Sequence, residues 1–265
     1  MSHDYEDLLI EQHGPVALVK LNRPNKLNSW GGSMRQEFTD YLTSLNQVDY
    51  ETRAIVLTGE GRAFSAGGDV RGFASANPDR MEPAWHAPHN HLSVVNAMRN
   101  CDVPIIGAIN GYAVGMGWSV ALACDIRIAA DDAIFQVAQT KRGIVADAGL
   151  PHLLPRAVGT QRALELMFTG RRVDAQEALA MGAVLEVVPT DELIEHACAL
   201  AESIAAGPPQ SAAGHKRLVY MVEDEDFNRV QDMTVMIVGK LFQTEDGREG
   251  VVSFMERREP EFTGH

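Results

Sequence analysis

Cysteine is scarce in this chain of 265 residues. The three present, Cys101, Cys124 and Cys198, are widely spaced, odd in number and without a CxxC pair. That excludes a disulfide framework and fits reduced thiols in a cytoplasm. Aromatic residues make up only 6%. No apolar run approaches the roughly eighteen residues needed to span a membrane. The acidic opening MSHDYEDLLIEQ has no hydrophobic signal core. Basic residues are outnumbered, 23 Lys and Arg against 36 Asp and Glu, for a formal charge of −13. A nucleic-acid partner is thereby disfavoured, because phosphate contact needs a basic face. A small anionic ligand held by a few local Arg or Lys side chains stays open.

Several familiar site patterns are missing as well. Neither Gly59-Glu60-Gly61 nor Gly115-Met116-Gly117 continues to the third glycine of a dinucleotide fingerprint. Ser65 and Ser119 lie outside any G-x-S-x-G elbow, and no His–Asp pair is spaced to serve them, so a triad hydrolase is not supported. His86, His89 and His91 cluster in one stretch, but Pro88 spoils helical spacing and no Cys or acid completes a tetrahedral metal set nearby. No metal is expected there; His91, at a helix start, is the one placed to face a ligand.

What is present centres on Pro104 to Asp125, PIIGAINGYAVGMGWSVALACD. Ile105 to Ile109 has the length and composition of a buried strand. A turn follows at Asn110-Gly111, and Gly115-Met116-Gly117 leads into the mostly apolar Trp118 to Cys124, which starts a buried helix. Such a helix start leaves N–H groups without intrahelical partners and adds partial positive charge, a place for an oxygen that becomes anionic. A packing turn made of small residues is the plainer reading. A second glycine turn, Ala66-Gly67-Gly68-Asp69, follows another apolar strand in the same way. Together the two turns suggest paired backbone donors aimed at one oxygen.

The rest of the chain frames this stretch. Residues 8 to 21 read as two short strands about Gly14-Pro15, and Ser29 is placed to cap a helix running to about Gln47. Ala54 to Thr58 is a buried-type strand. Asn77 to Asn90 is an aperiodic loop, and helical spacing runs from about His91 to Asn100. Ile126 to Ala129, Ala133 to Val137 and Ala183 to Val188 read as strands. A loop from Gln139 to His152 precedes a helix from about Gly159 to Phe168, and Ala175 to Met181 is helical. From Asp191 the pattern is wholly helical, broken at Gly207-Pro208-Pro209. Strands and helices alternating to about residue 190, then helices alone, predict an α/β fold with a helical C-terminal appendage.

Two further groups invite chemistry. Asp147 lies among apolar and small residues in Ile144-Val145-Ala146-Asp147-Ala148-Gly149, where enclosure would raise a carboxyl pKa and suit proton shuttling. A solvated loop aspartate is the alternative. Near the end, Phe254 and Arg257 pair an aromatic ring with a cation, a match for a purine and a phosphate, or simply a solvated helix face.

Read together, these stretches resemble the enoyl-CoA hydratase/isomerase (crotonase) superfamily over nearly the whole chain. The matching pieces are Arg23-Pro24 through Lys26-Leu27-Asn28, Ala63 to Asp69, Pro104 to Asp125, Arg156 to Gly159, Leu166 to Gly170, Ala175 to Gly182, and Gly250 to Phe262. The resemblance implies a crotonase-like spiral of ββα units over residues 1–194, with a helical region over 195–265 that trimerises and covers CoA. It implies trimers or dimers of trimers, acyl-CoA substrates, no cofactor other than the coenzyme A of the substrate, and an enolate held by an oxyanion hole. Carried over, the donors are the N–H groups of Gly68 and Met116. Lys26, Leu27, Ala66, Asp69 and Val70 line the pantetheine and adenine pockets, and Phe254 and Arg257 reach the adenine from a neighbouring subunit. The acyl pocket falls to the loop 73–91 with His91, to Trp118 and to the C-terminal helices.

One departure bears on the chemistry. Where the hydratases of this superfamily place two glutamates, this chain has Ser119 and Gln139. A hydroxyl and an amide do not take over the acid–base work of two carboxylates near neutral pH. Asp147, eight residues past Gln139, falls where the dienoyl-CoA and ring-opening epoxyphenylacetyl-CoA isomerases keep an aspartate. The resemblance therefore implies an isomerase in which Asp147 moves a proton while Ser119 and Gln139 position substrate or water. A hydratase with atypical residues, an Asp147-dependent hydrolase or dehalogenase, and a CoA-ester-binding homologue without turnover stand as alternatives.

Overall fold

The computed structural model describes residues 5–45, 50–69, 93–223 and 225–265. The expected contacts Val70 and His91, the histidines His86 and His89, and the loop 73–91 lie outside these residues.

The chain opens with β1 (Leu8–His13) and β2 (Val16–Leu21), an antiparallel pair, then α1 (Met34–Ser44) and β3 (Ala54–Gly59). Next come α2 (Ser93–Asn100), β4 (Ile105–Ile109), β5 (Tyr112–Val114) and α3 (Met116–Ala123). β6 (Ile126–Ala130) and β7 (Ile134–Gln136) lead to α4 (Leu150–Val158) and α5 (Thr160–Thr169). β8 (Arg172–Asp174), α6 (Ala175–Ala180) and β9 (Glu186–Val188) precede four helices, α7 (Leu193–Ala205), α8 (Pro209–Met221), α9 (Phe227–Leu241) and α10 (Glu245–Glu256). One six-stranded sheet runs β1-β2-β3-β4-β6-β9, parallel from β2 onward, and a three-stranded sheet runs β5-β7-β8. The α/β class with its crotonase-like spiral is therefore present.

Two-residue periodicity sorts the large sheet's side chains between two cores. Val16, Val56, Ile106 and Ile128 face one side, where α7 covers them with Leu193, Ala197, Ala201 and Ala205. This four-residue spacing makes a stripe of mostly small side chains that lets the helix lie close. Val19, Ile55, Ile109 and Ala129 face the other side and join the larger core. β3 is buried along its whole length, which is why its sequence AIVLTG shows no polar alternation. The division expected after residue 194 falls inside α7.

Several expected boundaries moved. α1 begins at Met34, and Ser29 does not cap it. Asp7 does so from a distance, its Oδ2 accepting from the N–H groups of Ser33 at 2.9 Å and Met34 at 3.2 Å. α4 was expected as loop up to His152; Pro151 stands in its first turn, where no N–H is needed, and Pro155 is carried inside it. β5 and β8, three residues each, are too short to leave a periodic signal.

Candidate active site

The two glycine turns meet because the segments leading into them pair. Ser65 donates its N–H to the carbonyl of Tyr112 at 2.8 Å, and Val114 donates to that of Ser65 at 2.9 Å. This parallel bridge sends residues 66–69 and 115–117 out side by side. The approach is close enough to require glycine twice. A Cβ on Gly67, whose φ is +93°, would lie 2.6 Å from the Val114 carbonyl, and one on Gly117 would lie 2.2 Å from that of Ser65. The same Cβ position on Gly67 is 3.4 Å from the Met116 nitrogen, so the donors of the two turns border one small space. Among the described residues nothing accepts the N–H of Gly68 or of Met116.

Asn28 locks the first turn from behind. Fully buried, it donates through Nδ2 to the carbonyls of Glu60 and Ala63 and accepts from the Arg23 N–H, while its own carbonyl receives the Ser65 hydroxyl at 2.7 Å. Leu27 joins through its carbonyl, which accepts the Ala66 N–H. Arg23 in turn lies 3.7 Å from Asp69, fixing that carboxylate at the turn's far end.

A cleft of about 600 Å³ opens over these donors. Of the expected site residues, Gly68, Met116, Gln139, Asp147, Lys26, Ala66 and Asp69 line it. Gln139 is nearly buried and donates through Nε2 to Asp147 Oδ1 at 2.9 Å. Its Oε1 is buried with no hydrogen-bond partner. Asp147 is exposed, so the apolar enclosure expected around it is absent from the single chain. Its carbonyl is held by the Leu150 N–H at 3.0 Å, which fixes the residue ahead of α4.

Two expected site residues, Trp118 and Ser119, are buried and are not among the described residues lining the cleft. Every residue of α3 is buried, and Trp118, fully enclosed, packs against Phe135 with ring centroids 5.6 Å apart. Ser119 is also fully buried, its hydroxyl directed at the carbonyls of Gly115 and Asp147 at 3.4 Å each; it braces the site without reaching the cleft. Phe254 and Arg257, at the end of α10, are exposed and do not line this cleft.

The sequence reading missed Arg35. α1 buries Met34, Phe38, Tyr41 and Leu42, and Arg35 lies one position off that stripe, half-buried, with its guanidinium in the cleft wall. A lone cation beside a buried helical stripe was the available signal. The buried thiols stay out of the chemistry: burial pushes Cys124 up to about 12 and raises Cys101.

Among the described residues no group of His, Cys, Asp and Glu is arranged to hold a metal, and no helix is long and apolar enough to cross a membrane. Comparison with known proteins agrees with the geometry. The family model for enoyl-CoA hydratase/isomerase matches residues 11–265. A probable enoyl-CoA hydratase of Rhodobacter capsulatus is 35% identical over 260 residues, covering 98% of this chain and 99% of its own. A Bacillus subtilis protein of the same description is 33% identical over 250 residues, 94% and 95% of the two chains. The crystal structure of enoyl-CoA hydratase from Bacillus anthracis superimposes with a TM-score of 0.91 at 33% identity, over 98% of this chain and 100% of that one. With spiral, paired turns and full-length relatives in agreement, this chain belongs to the enoyl-CoA hydratase/isomerase family.

Proposed function

We propose that the protein is an acyl-CoA isomerase that moves a double bond through a thioester enolate. The Gly68 and Met116 N–H groups receive the thioester oxygen as it becomes anionic; one such donor is typically worth roughly 3 kcal/mol of barrier. Asp147 takes a proton from one carbon and returns it to another. Gln139 positions it, since an amide N–H bonded to Oδ1 turns the other carboxylate oxygen toward substrate. The observation that carries this reading is Asp147, which lines the same cleft as the two donors and accepts from Gln139. Among the described residues the acids lining the cleft are Asp69 and Asp147, and with Asp69 held by Arg23 the proton transfer falls to Asp147. One base that returns the proton it removes suffices for isomerisation, whereas hydration works best with two.

Coenzyme A enters as part of the substrate, with no separate cofactor, along Lys26 and the turn 66–69. Its adenine end is met by Phe254 and Arg257 of a neighbouring copy in a trimer or dimer of trimers. A second reading, hydration with Asp147 alone activating water, is favoured by the names of the relatives described above.

The test is incubation with 3-enoyl-CoA and 2-enoyl-CoA in deuterated water, wild type beside Asp147→Asn, followed by mass spectrometry. Double-bond migration with deuterium uptake that falls by about 10²–10⁴ in the variant supports the isomerase. Water addition that survives in the variant sinks it.

A further inference from the structure

Resting on the reading that the Gly68 N–H meets the thioester oxygen, we propose that Ser65 is a positioning residue whose buried hydroxyl sets the direction of that N–H. Ser65 is fully buried. Its Oγ donates to the Asn28 carbonyl at 2.7 Å and accepts the Gly67 N–H at 3.2 Å. Its backbone makes the bridge to Tyr112 and Val114, and a Cβ on Gly117 would lie 3.0 Å from that of Ser65. One residue therefore touches both turns that supply the donors.

The need for such a residue follows from Gly67. The Val114 carbonyl excludes a side chain there, and without a Cβ the backbone is free to rotate. Two peptide groups meet at its Cα. The one after it, Gly67–Gly68, is held by its carbonyl, which accepts the Trp30 N–H at 2.8 Å. In a planar trans peptide the N–H points opposite to the carbonyl, so this bond turns the Gly68 N–H away from Trp30. The peptide before Gly67 is held by its N–H, and the Ser65 hydroxyl is the acceptor. The hydroxyl thus supplies the restraint that a side chain on Gly67 cannot. Its removal leaves the buried Gly67 N–H without this acceptor and the Asn28 carbonyl without this donor, and both desolvated groups then lack compensation. The freed peptide turns toward new partners, and the Gly68 N–H turns with it. The effect on an oxyanion is steep, because a donor works only within about 2.7–3.1 Å of it.

Butyryl-CoA labelled with carbon-13 at the thioester carbonyl tests this without proton transfer, so the outcome is independent of Asp147. Calorimetry follows its binding. Isotope-difference infrared spectroscopy follows the carbonyl stretch, which moves to lower frequency when hydrogen-bond donors polarise the bond. Wild type is expected to bind the thioester and lower the stretch below its value in water. In Ser65→Ala about half or more of that lowering is lost. Affinity stays within about threefold, because contacts along the rest of the CoA are untouched. Ser65→Cys, whose thiol donates and accepts weakly, falls between the two. With the enoyl-CoA substrates, kcat in Ser65→Ala drops about tenfold or more at little changed KM, the pattern of a contact realised in the transition state. A folded Ser65→Ala protein, checked by its thermal melt, that keeps the wild-type stretch shows a merely structural serine and overturns the proposal. Where only Ser65→Cys folds, a wild-type stretch in that variant does the same. A wild type that does not bind butyryl-CoA, or binds it without lowering the stretch, overturns the donor reading and this proposal together. Failure of the isotope experiment alongside a stretch that depends on Ser65 counts against the isomerase reading alone.

Discussion

Gln139 and Asp147 share one hydrogen bond, and it fixes what each can do. The amide donates and the carboxylate accepts, so in the proposed reaction Asp147 would act as an acceptor with one oxygen held. Replacing Gln139 by Glu would set two carboxylates against each other at about hydrogen-bond distance. Such a pair does not ionise fully; it shares a proton, and one of its apparent pKa values rises strongly. The pH–rate profile of Gln139→Glu is therefore expected to shift its acidic limb upward by at least about one unit, with activity lost at neutral pH. An unchanged profile would mean that the two groups do not meet in the working enzyme. Asp147 was legible in the sequence as a candidate base. Its exposure was not, because its neighbours in sequence are apolar or small and only the folded chain leaves it open.

At the scale of elements, charged contacts on α8 and just beyond it fasten the C-terminal helices to the core. Lys216 Nζ lies 2.8 Å from Asp125 and donates to the Val103 carbonyl, and the Tyr220 hydroxyl donates to Asp125. Arg99 of α2 stacks over the Tyr220 ring at 4.2 Å. Just past α8, Glu223 receives Arg99 at 2.6 Å and His152 at 2.8 Å, with Arg156 at 3.7 Å. Burial alone would raise the Glu223 pKa, but the bonds from His152 and Arg99 outweigh it and hold the carboxyl below its usual range. A depressed carboxylate stabilises the fold above its unfolded pKa, about 4.3, and loses that contribution as pH falls through the folded value. Glu223→Gln is expected to cost about 1–2 kcal/mol near neutral pH. Thermal melts should show a gap of a few degrees at pH 7 that closes below about pH 4. A gap that widens on acidification would refute the assignment. None of this network was visible in sequence, since Arg99, Asp125 and Glu223 are far apart along the chain.

At the scale of the molecule, α9 has no buried residue in the single chain, yet Val235 and Met236 are 72% and 67% exposed on it. Phe254 and Met255 stand out at 83% and 75% on α10. Exposed apolar side chains of this kind suit a protein–protein contact, and the trimer implied by the family resemblance would cover them. Light scattering is expected to give three or six times the 28.9 kDa chain mass, and a Val235→Asp, Met236→Asp double variant should shift the protein toward monomer. A wild-type monomer would overturn the assembly and with it the place of Phe254 and Arg257. By itself the sequence determined the strands of the large sheet, the two glycine turns and the candidate base. Those rest on local pattern, on buried strand runs and on backbone positions only glycine fits. The tertiary structure alone decided that Trp118 and Ser119 are buried, that Asp7 caps α1, and that Arg35 stands in the cleft wall near Gly68 and Met116. Each depends on which face of one element another covers, and residues far apart in the chain carry no local trace of that packing.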